Sequence, residues 1–372
     1  MRKISLTIIA LIWTSLGVSS CEKPDETIAT PDDESFQMIP YLTFEQWEKR
    51  QGGAIYKDKL VCFNAMDKGG RPQGFIYDVR TGIKLCEMSF SFTLDSKEYY
   101  PLHANQVSFG NQFYDEESDF PLLYISQVNG GNGRNDIRGE RGVLVYNLRR
   151  ISENNYIPEL VQAIIPDLDD SQLMSKMGNY TPNYIVDTDK HQLVVIGYPN
   201  SSWYDLSGPQ PIAVFRLPDL ADGKEIVLTN NDIVDSYTLP ISLIPQQSFY
   251  HEGKIFMVCG FSKQAALRVI NLSDKSVEYF YDMTRITSGE PQFLGLWNEK
   301  LLYYEYNASG IVYEVIVPDY SFKNNRTYLG GSTRYSRMTF SKYNCKGQPT
   351  KKTEKEIQII VNSEGSKKLI LK

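Results

Sequence analysis

The chain has 372 residues, 23% of them charged, with a formal net charge of −6 and a pI near 5.3. That acidic balance argues against nucleic acid as a partner, because phosphate contacts demand basic patches. Aromatic residues make up 12% and include 25 tyrosines, which suits β-strands and also carbohydrate contact.

Residues 1–20 read as an export signal. Arg2 and Lys3 precede an apolar run from Ile4 to Val18, which is shorter than the roughly 20 apolar residues of a membrane span. The run closes on Val18, Ser19, Ser20 and Cys21, small residues before a cysteine, which resembles a bacterial lipobox. The resemblance implies acylation of Cys21, so the mature chain is expected to be lipid-tethered to the outer membrane, with surface exposure open. Residues 21–35 are acidic, carry two prolines and lack aromatics, so they read as a flexible tether rather than a folded segment.

From residue 36 to 372 one domain is expected, organised by a recurring junction. A polar amide leads a short apolar strand, a tight turn and a second apolar strand. The copies are Gln51–Tyr56 with Lys59–Phe63, Gln246–Tyr250 with Lys254–Val258, and Gln292–Trp297 with Lys300–Tyr304. Looser copies begin at Gln106 and Asn183. A second hairpin signature follows each, as in Phe75–Val79 with Ile83–Phe90. Together they give four antiparallel strands per unit, here a to d from the hub outward, and an all-β propeller.

Blades are expected over about residues 51–90, 103–165, 180–238, 245–283 and from 290 onward. The C-terminal runs Glu356–Asn362 and Lys368–Leu371 read as another a–b hairpin, and Arg337–Asn344 with the turn Lys346–Pro349 as a c–d hairpin. With Phe36–Thr43 supplied from the N-terminus to close the ring, this pattern predicts a six-bladed β-propeller. Residues 167–178 break the β pattern and read as one short inserted helix. Its aspartates at 167, 169 and 170 are read as caps and solvated groups, because the later ligands of a calcium loop are missing. Cys62, Cys86, Cys259 and Cys345 read as buried free thiols, and no Cys-x-x-Cys spacing points to a metal.

The a–b turns are mostly short, whereas the b–c loops are longer and richer, which makes the b–c face the candidate functional face. Around the channel on that face lie Gln51, His103, Asn105, Gln106, Asn183, Gln246, Gln247 and Gln292. Their amides suit a neutral hydroxylated ligand, and they equally suit backbone groups of a neighbouring blade. His103 has no sequence neighbour that would make it a catalytic base. Arg134 lies in the Gly-rich b–c loop of blade two, and Trp203 and Tyr204 in that of blade three, where they can stack on a sugar or pin the loop.

The lipobox, acidic tether, hub amides and Lys346–Pro349 hairpin together resemble six-bladed TolB-like propeller lipoproteins of Bacteroidetes. The resemblance implies the propeller fold and a cell-envelope address. The expected function is non-catalytic binding of a glycan or peptide on the b–c face, without cofactor or metal. One alternative is an interaction subunit docking an envelope protein. Gln51–Tyr56 also resembles the strand start of propeller glutaminyl cyclases, so a lyase or cyclase is a third reading.

Overall fold

The computed structural model describes residues 36–64, 73–90, 104–126, 142–166, 183–199, 206–240, 242–260, 264–287, 289–317, 320 and 322. Residues 92–94, 97–99, 357–361 and 367–371 are described as backbone alone. The expected helix over 167–178 and the expected hairpin at 337–349 lie outside the described residues. The chain divides into two units, residues 28–325 on one hand and residues 1–27 with 326–372 on the other. In the second unit the described part is the antiparallel hairpin Ile357–Val361 with Lys367–Leu371.

The larger unit is an all-β propeller. Blade one is Arg50–Tyr56, Lys59–Asn64, Gln73–Asp78 and Lys84–Ser89, paired antiparallel in that order. Blade two is Val107–Phe109, Leu123–Ser126, Val143–Ser152 and Asn155–Pro166, with Glu225–Leu228 added in parallel at its outer edge. Blade three is Asn183–Asp187, Gln192–Ile196, Gln210–Arg216 and Ile233–Leu239. Blade four is Pro245–His251, Lys254–Cys259, Ala266–Asn271 and Ser276–Asp282. Blade five is Pro291–Trp297, Lys300–Glu305, Ile311–Ile316 and, as its outermost strand, Gln37–Thr43. Helix is limited, among the described residues, to two 3-10 turns at Leu220–Asp222 and Asn230–Asp232.

The ring therefore has five blades, not six. The N-terminal strand does pair into the last blade, with Gln37 opposite Ile316 and Thr43 opposite Ile311, but it completes the fifth rather than helping to build another. The packing shows why no further blade fits. The buried side chains fall into five clusters, each shared by two adjacent blades. One of them joins Cys62, Phe75 and Tyr77 of blade one directly to Phe293, Leu302 and Tyr304 of blade five. Strand periodicity produces this arrangement: Val61 faces the blade-two seam while its neighbour Cys62 faces the blade-five seam. Inner strands are thus buried on both faces and read as continuous apolar runs.

The a–b turns are tight. Glu252 and Gly253 have φ of 47° and 77°, and Asn298 and Glu299 have 44° and 65°, the positive pair of a two-residue hairpin whose twist matches its strands. Blade two departs from this, with a longer connection over residues 110–122. Cys62, Cys86 and Cys259 are buried free thiols, and Cys345 lies outside the described residues.

Closure of the ring depends on the seam between blades one and five. Tyr304 is 1% exposed, stacks on Phe293 at 4.7 Å and meets Trp47 edge-on at 5.0 Å. Tyr304→Ala is expected to cost about 3–5 kcal/mol in urea unfolding, whereas Ile316→Ala, at a residue 41% exposed, should stay within about 0.5 kcal/mol. A near-neutral Tyr304→Ala would show that the two blades do not share this core.

Candidate functional site

Each full copy of the sequence junction is a β-bulge. The pairing of the a and b strands slips between Arg50 and Gly53, between Pro245 and Gln247, and between Pro291 and Phe293. Gln51, Gln246 and Gln292 are the extra residues. A bulge bends the strand and re-aims one side chain, here an amide at the head of an innermost strand. In blade one the bulge also carries Gly52. A Cβ there would lie 2.0 Å from the Asn105 carbonyl oxygen, so the blade-one and blade-two heads approach at backbone contact.

These amides form a connected lattice. Gln106 is fully buried; its Oε1 accepts from Ser248 N and Ser248 Oγ, both at 2.8 Å, and its Nε2 donates to Ser248 O and Ser108 Oγ at 2.9 Å. Asn183 Nδ2 donates to Gln246 O at 3.2 Å and to Gln106 Oε1 at 3.4 Å. Gln247 crosses the hub: Nε2 donates to Gly53 O at 2.8 Å and Val107 O at 3.2 Å, and Oε1 accepts from Leu294 N at 2.9 Å. One side chain thus links blades one, two, four and five. The lattice satisfies backbone groups that the converging strands cannot pair among themselves, each of which would cost about 1–3 kcal/mol if left buried and alone.

Toward the b–c end the lattice is incomplete. Asn105, half-buried, donates to Gln246 Oε1 at 2.9 Å, and Gln246 Nε2 donates to Glu290 Oε1 at 2.7 Å. Among the described residues, no hydrogen bond reaches Gln51 Oε1, Asn105 Oδ1 or Gln292 Oε1, while the Gln292 amide donates to Glu290. Glu290 is half-buried among them. Burial raises its carboxyl above the usual value of 4.5, and the amides of Gln246 and Gln292 beside it partly offset that rise. A perturbed acid ringed by amides with spare acceptors can hold hydroxyls, an amide or a protonated amine.

The opposite end of the hub holds a cavity of about 170 Å³. All five a strands line it, with Ser108, Thr188, Gln247, Tyr250 and His251 among the contributors. The polar groups here have protein partners: Tyr250 Oη donates to Asp189 Oδ2 at 2.7 Å and accepts from Gly253 N at 2.9 Å. His251 packs against Phe256 and Phe322, and burial lowers its imidazole from the ordinary value of 6.5. His191, at the blade-three turn, lies 3.0 Å from Asp219 Oδ1.

The structure thus brings together Gln51, Asn105, Gln106, Asn183, Gln246 and Gln292 at the hub. His103, Arg134, Trp203 and Tyr204 lie outside the described residues, as does Cys21. Glu290 is the site residue that the sequence reading missed. Its signal was an acid immediately before the third junction, Glu290-Pro291-Gln292, where the other junctions have none.

No protein-family model matches the chain, and no curated protein matches it. Among solved structures, it is similar to hydrazine synthase of Kuenenia stuttgartiensis at 10% identity and a TM-score of 0.34, over 68% of this chain and 61% of that one. It is also similar to a Thermus thermophilus protein named as an oxidoreductase (glucose dehydrogenase), at 10% identity and a TM-score of 0.40, over 75% of this chain and 99% of that one. The chain spans less than two thirds of the hydrazine synthase chain. At these identities the likeness concerns fold alone, and the propeller stands on its five sheets.

The raised Glu290 carboxyl has a sign. A carboxyl whose folded value lies above its unfolded value destabilises the fold as pH rises between the two, and the cost is complete above the folded value. Glu290→Gln, which keeps an acceptor for Gln246, should therefore remove a fall in denaturant midpoint that the wild type shows on raising pH from the usual carboxylate value of 4.5. Parallel pH profiles for the two proteins would contradict the assignment.

Proposed function

We propose that this chain is a non-catalytic binding protein of the cell envelope, whose ligand docks at the b–c end of the propeller hub. The observation that supports the reading is the cluster of unsatisfied amide atoms of Gln51, Asn105 and Gln292 around the half-buried Glu290. Buried polar atoms are rarely left without partners, and a ring of them at a channel mouth fits a ligand or ordered water as the missing partner. Spare amide carbonyl oxygens and a carboxylate fit the hydroxyls of a glycan or the N–H groups of a peptide. Arg134, Trp203 and Tyr204 would act from the b–c loops around that mouth, and His103 from the crossover beside Asn105. Cys21 would carry the acyl anchor, with residues 22–35 as spacer, so the propeller stands off the outer membrane.

Glycan and peptide arrays probed with the purified chain test the binding role. Saturable binding is expected, weakened about tenfold or more in Asn105→Ala and in Glu290→Gln, each removing one or two hydrogen bonds to ligand. Absence of binding on both arrays, or binding indifferent to both substitutions, would overturn it. The anchor is tested separately: labelled palmitate should enter the wild-type chain in a bacterial host and be lost in Cys21→Ser.

A further inference from the structure

Arg50 immediately precedes the bulged Gln51 and points away from the hub, into the seam between blades one and five. Its side chain is 1% exposed. Nη2 makes two long contacts, to Tyr77 Oη at 3.2 Å and the Gln46 carbonyl at 3.5 Å. Nε and Nη1 have no oxygen or nitrogen acceptor among the described residues, and the neighbouring side-chain acceptor is the Cys62 sulfur, a weak one. The guanidinium lies 3.7 Å from the Phe75 ring centre and 5.4 Å from that of Trp47. Aromatic faces attract the cation but supply no acceptor for its N–H groups.

The surroundings do not neutralise it. Among the described residues, the one carboxylate in salt-bridge range belongs to Glu48, with Oε2 at 3.8 Å from Nη1 and a side chain 82% exposed. Cys62 sits beside Arg50 in the seam, but burial pushes its thiol up to about 12, so it is neutral. Tyr77 is likewise raised to about 12 by burial. An ionised guanidinium taken out of water is stable only when paired, and the one counter-ion in range among the described residues is Glu48, a long, solvent-exposed contact beside an open space. That space is a pocket of about 300 Å³ whose wall holds Arg50, Trp47, Phe75 and Gln73 and, as charged rim groups, Lys84 with the acids Glu48 and Glu87. Lys84 adds a second cation, held by Glu87 at 3.4 Å on the surface.

We propose that this pocket binds a carboxylated sugar of the uronic acid class. Its carboxylate takes the place of Glu48 at Arg50, the body of the ring lies against Trp47, and Gln73 and Lys84 are positioned for hydroxyl groups. A carboxylate supplies oxygen acceptors where Nε and Nη1 have only a neutral sulfur nearby, and a charge-assisted bond in a desolvated pocket is among the stronger single contacts available. A half-buried tryptophan beside polar groups suits the alternation of apolar and hydroxylated faces on a sugar. The site is separate from the hub mouth and does not depend on ligand binding there.

Titration calorimetry of the purified chain with glucuronate is the test, with glucose, acetate and inorganic phosphate as comparison probes. Glucuronate should bind saturably in the millimolar range or tighter, with glucose and acetate each about tenfold weaker or undetected. Glu48→Gln, an exposed change, should tighten glucuronate binding by removing the competing carboxylate, and Lys84→Met should weaken it. Arg50→Gln should abolish it, and far-ultraviolet circular dichroism would establish that this variant still folds. If Arg50→Gln fails to fold, the Glu48 and Lys84 variants decide the matter. No binding of glucuronate, equal binding of glucose or phosphate, or binding unmoved by both surface variants would overturn the proposal.

Discussion

Everything in this ring depends on how backbone polar groups are satisfied where five strands converge. A strand at the hub has a sheet partner on one side only, and the neighbouring blades meet it at an angle that forbids a ladder. Its spare N–H and C=O groups are buried there, so they need side-chain partners. Amides are suited because one residue offers both donors and an acceptor, without the desolvation cost of a charge. Gln247 shows the economy of the solution, bonding Gly53 O, Val107 O and Leu294 N from the centre of the hub. The bulges at Gln51, Gln246 and Gln292 aim further amides inward without breaking the flanking pairing.

The same closure that buries the hub also buries charge in the seams, and two arginines show different outcomes. Arg268 lies wholly within the seam between blades three and four, where its Nη2 donates to Gln210 Oε1 at 2.6 Å. Burial lowers it from the ordinary arginine value, yet it stays within a hydrogen-bonded protein setting. Gln210 in turn donates to Gly197 O and Leu243 O, each at 2.9 Å, so that arginine belongs to a structural network. Arg50, by contrast, lies against aromatic faces beside an open pocket. Its Nη2 contacts, Tyr77 Oη at 3.2 Å and Gln46 O at 3.5 Å, are longer than the 2.6 Å from Arg268 to Gln210. What distinguishes the two is the looser bonding of Arg50 and the open pocket beside it.

The parts of this fold that were legible in the sequence are those set by local periodicity. Continuous apolar runs such as Lys59–Phe63 mark inner strands, and Glu252-Gly253 or Asn298-Glu299 mark the hairpins between them. The amide that leads each copy was readable as a marker, while its bulge was not, because a bulge is a relation between two strands. The blade count misled for a similar reason. Ile357–Val361 and Lys367–Leu371 form the hairpin their sequence predicts, but nothing local states which sheet a hairpin joins. The count became clear only from Leu302 and Tyr304 sharing a core with Cys62 and Tyr77. Arg50 and Glu290 escaped notice because charged residues normally lie in solvent, and only tertiary closure buries them.

Polar satisfaction also gives the hub a direction. Seen as shape alone, the cavity of about 170 Å³ at the a–b end is the deeper invitation, being lined by all five innermost strands. Its chemistry is closed, however: Gln247 at its base has every polar atom engaged, and Tyr250 is tied to Asp189 and Gly253. At the b–c end the strand heads carry the same residue types, yet Gln51 Oε1, Asn105 Oδ1 and Gln292 Oε1 accept no hydrogen bond among the described residues. Gln247 lies just past a bulge and faces the centre, where carbonyls of other blades surround it. Position within a bulge does not by itself leave an amide idle, because Gln246 lies in one and is bonded to Asn105, Gly260 and Glu290. What sets the b–c end apart is that its strand heads outnumber the backbone groups within their reach, so hydrogen-bonding capacity rather than cavity size separates the two ends of the hub.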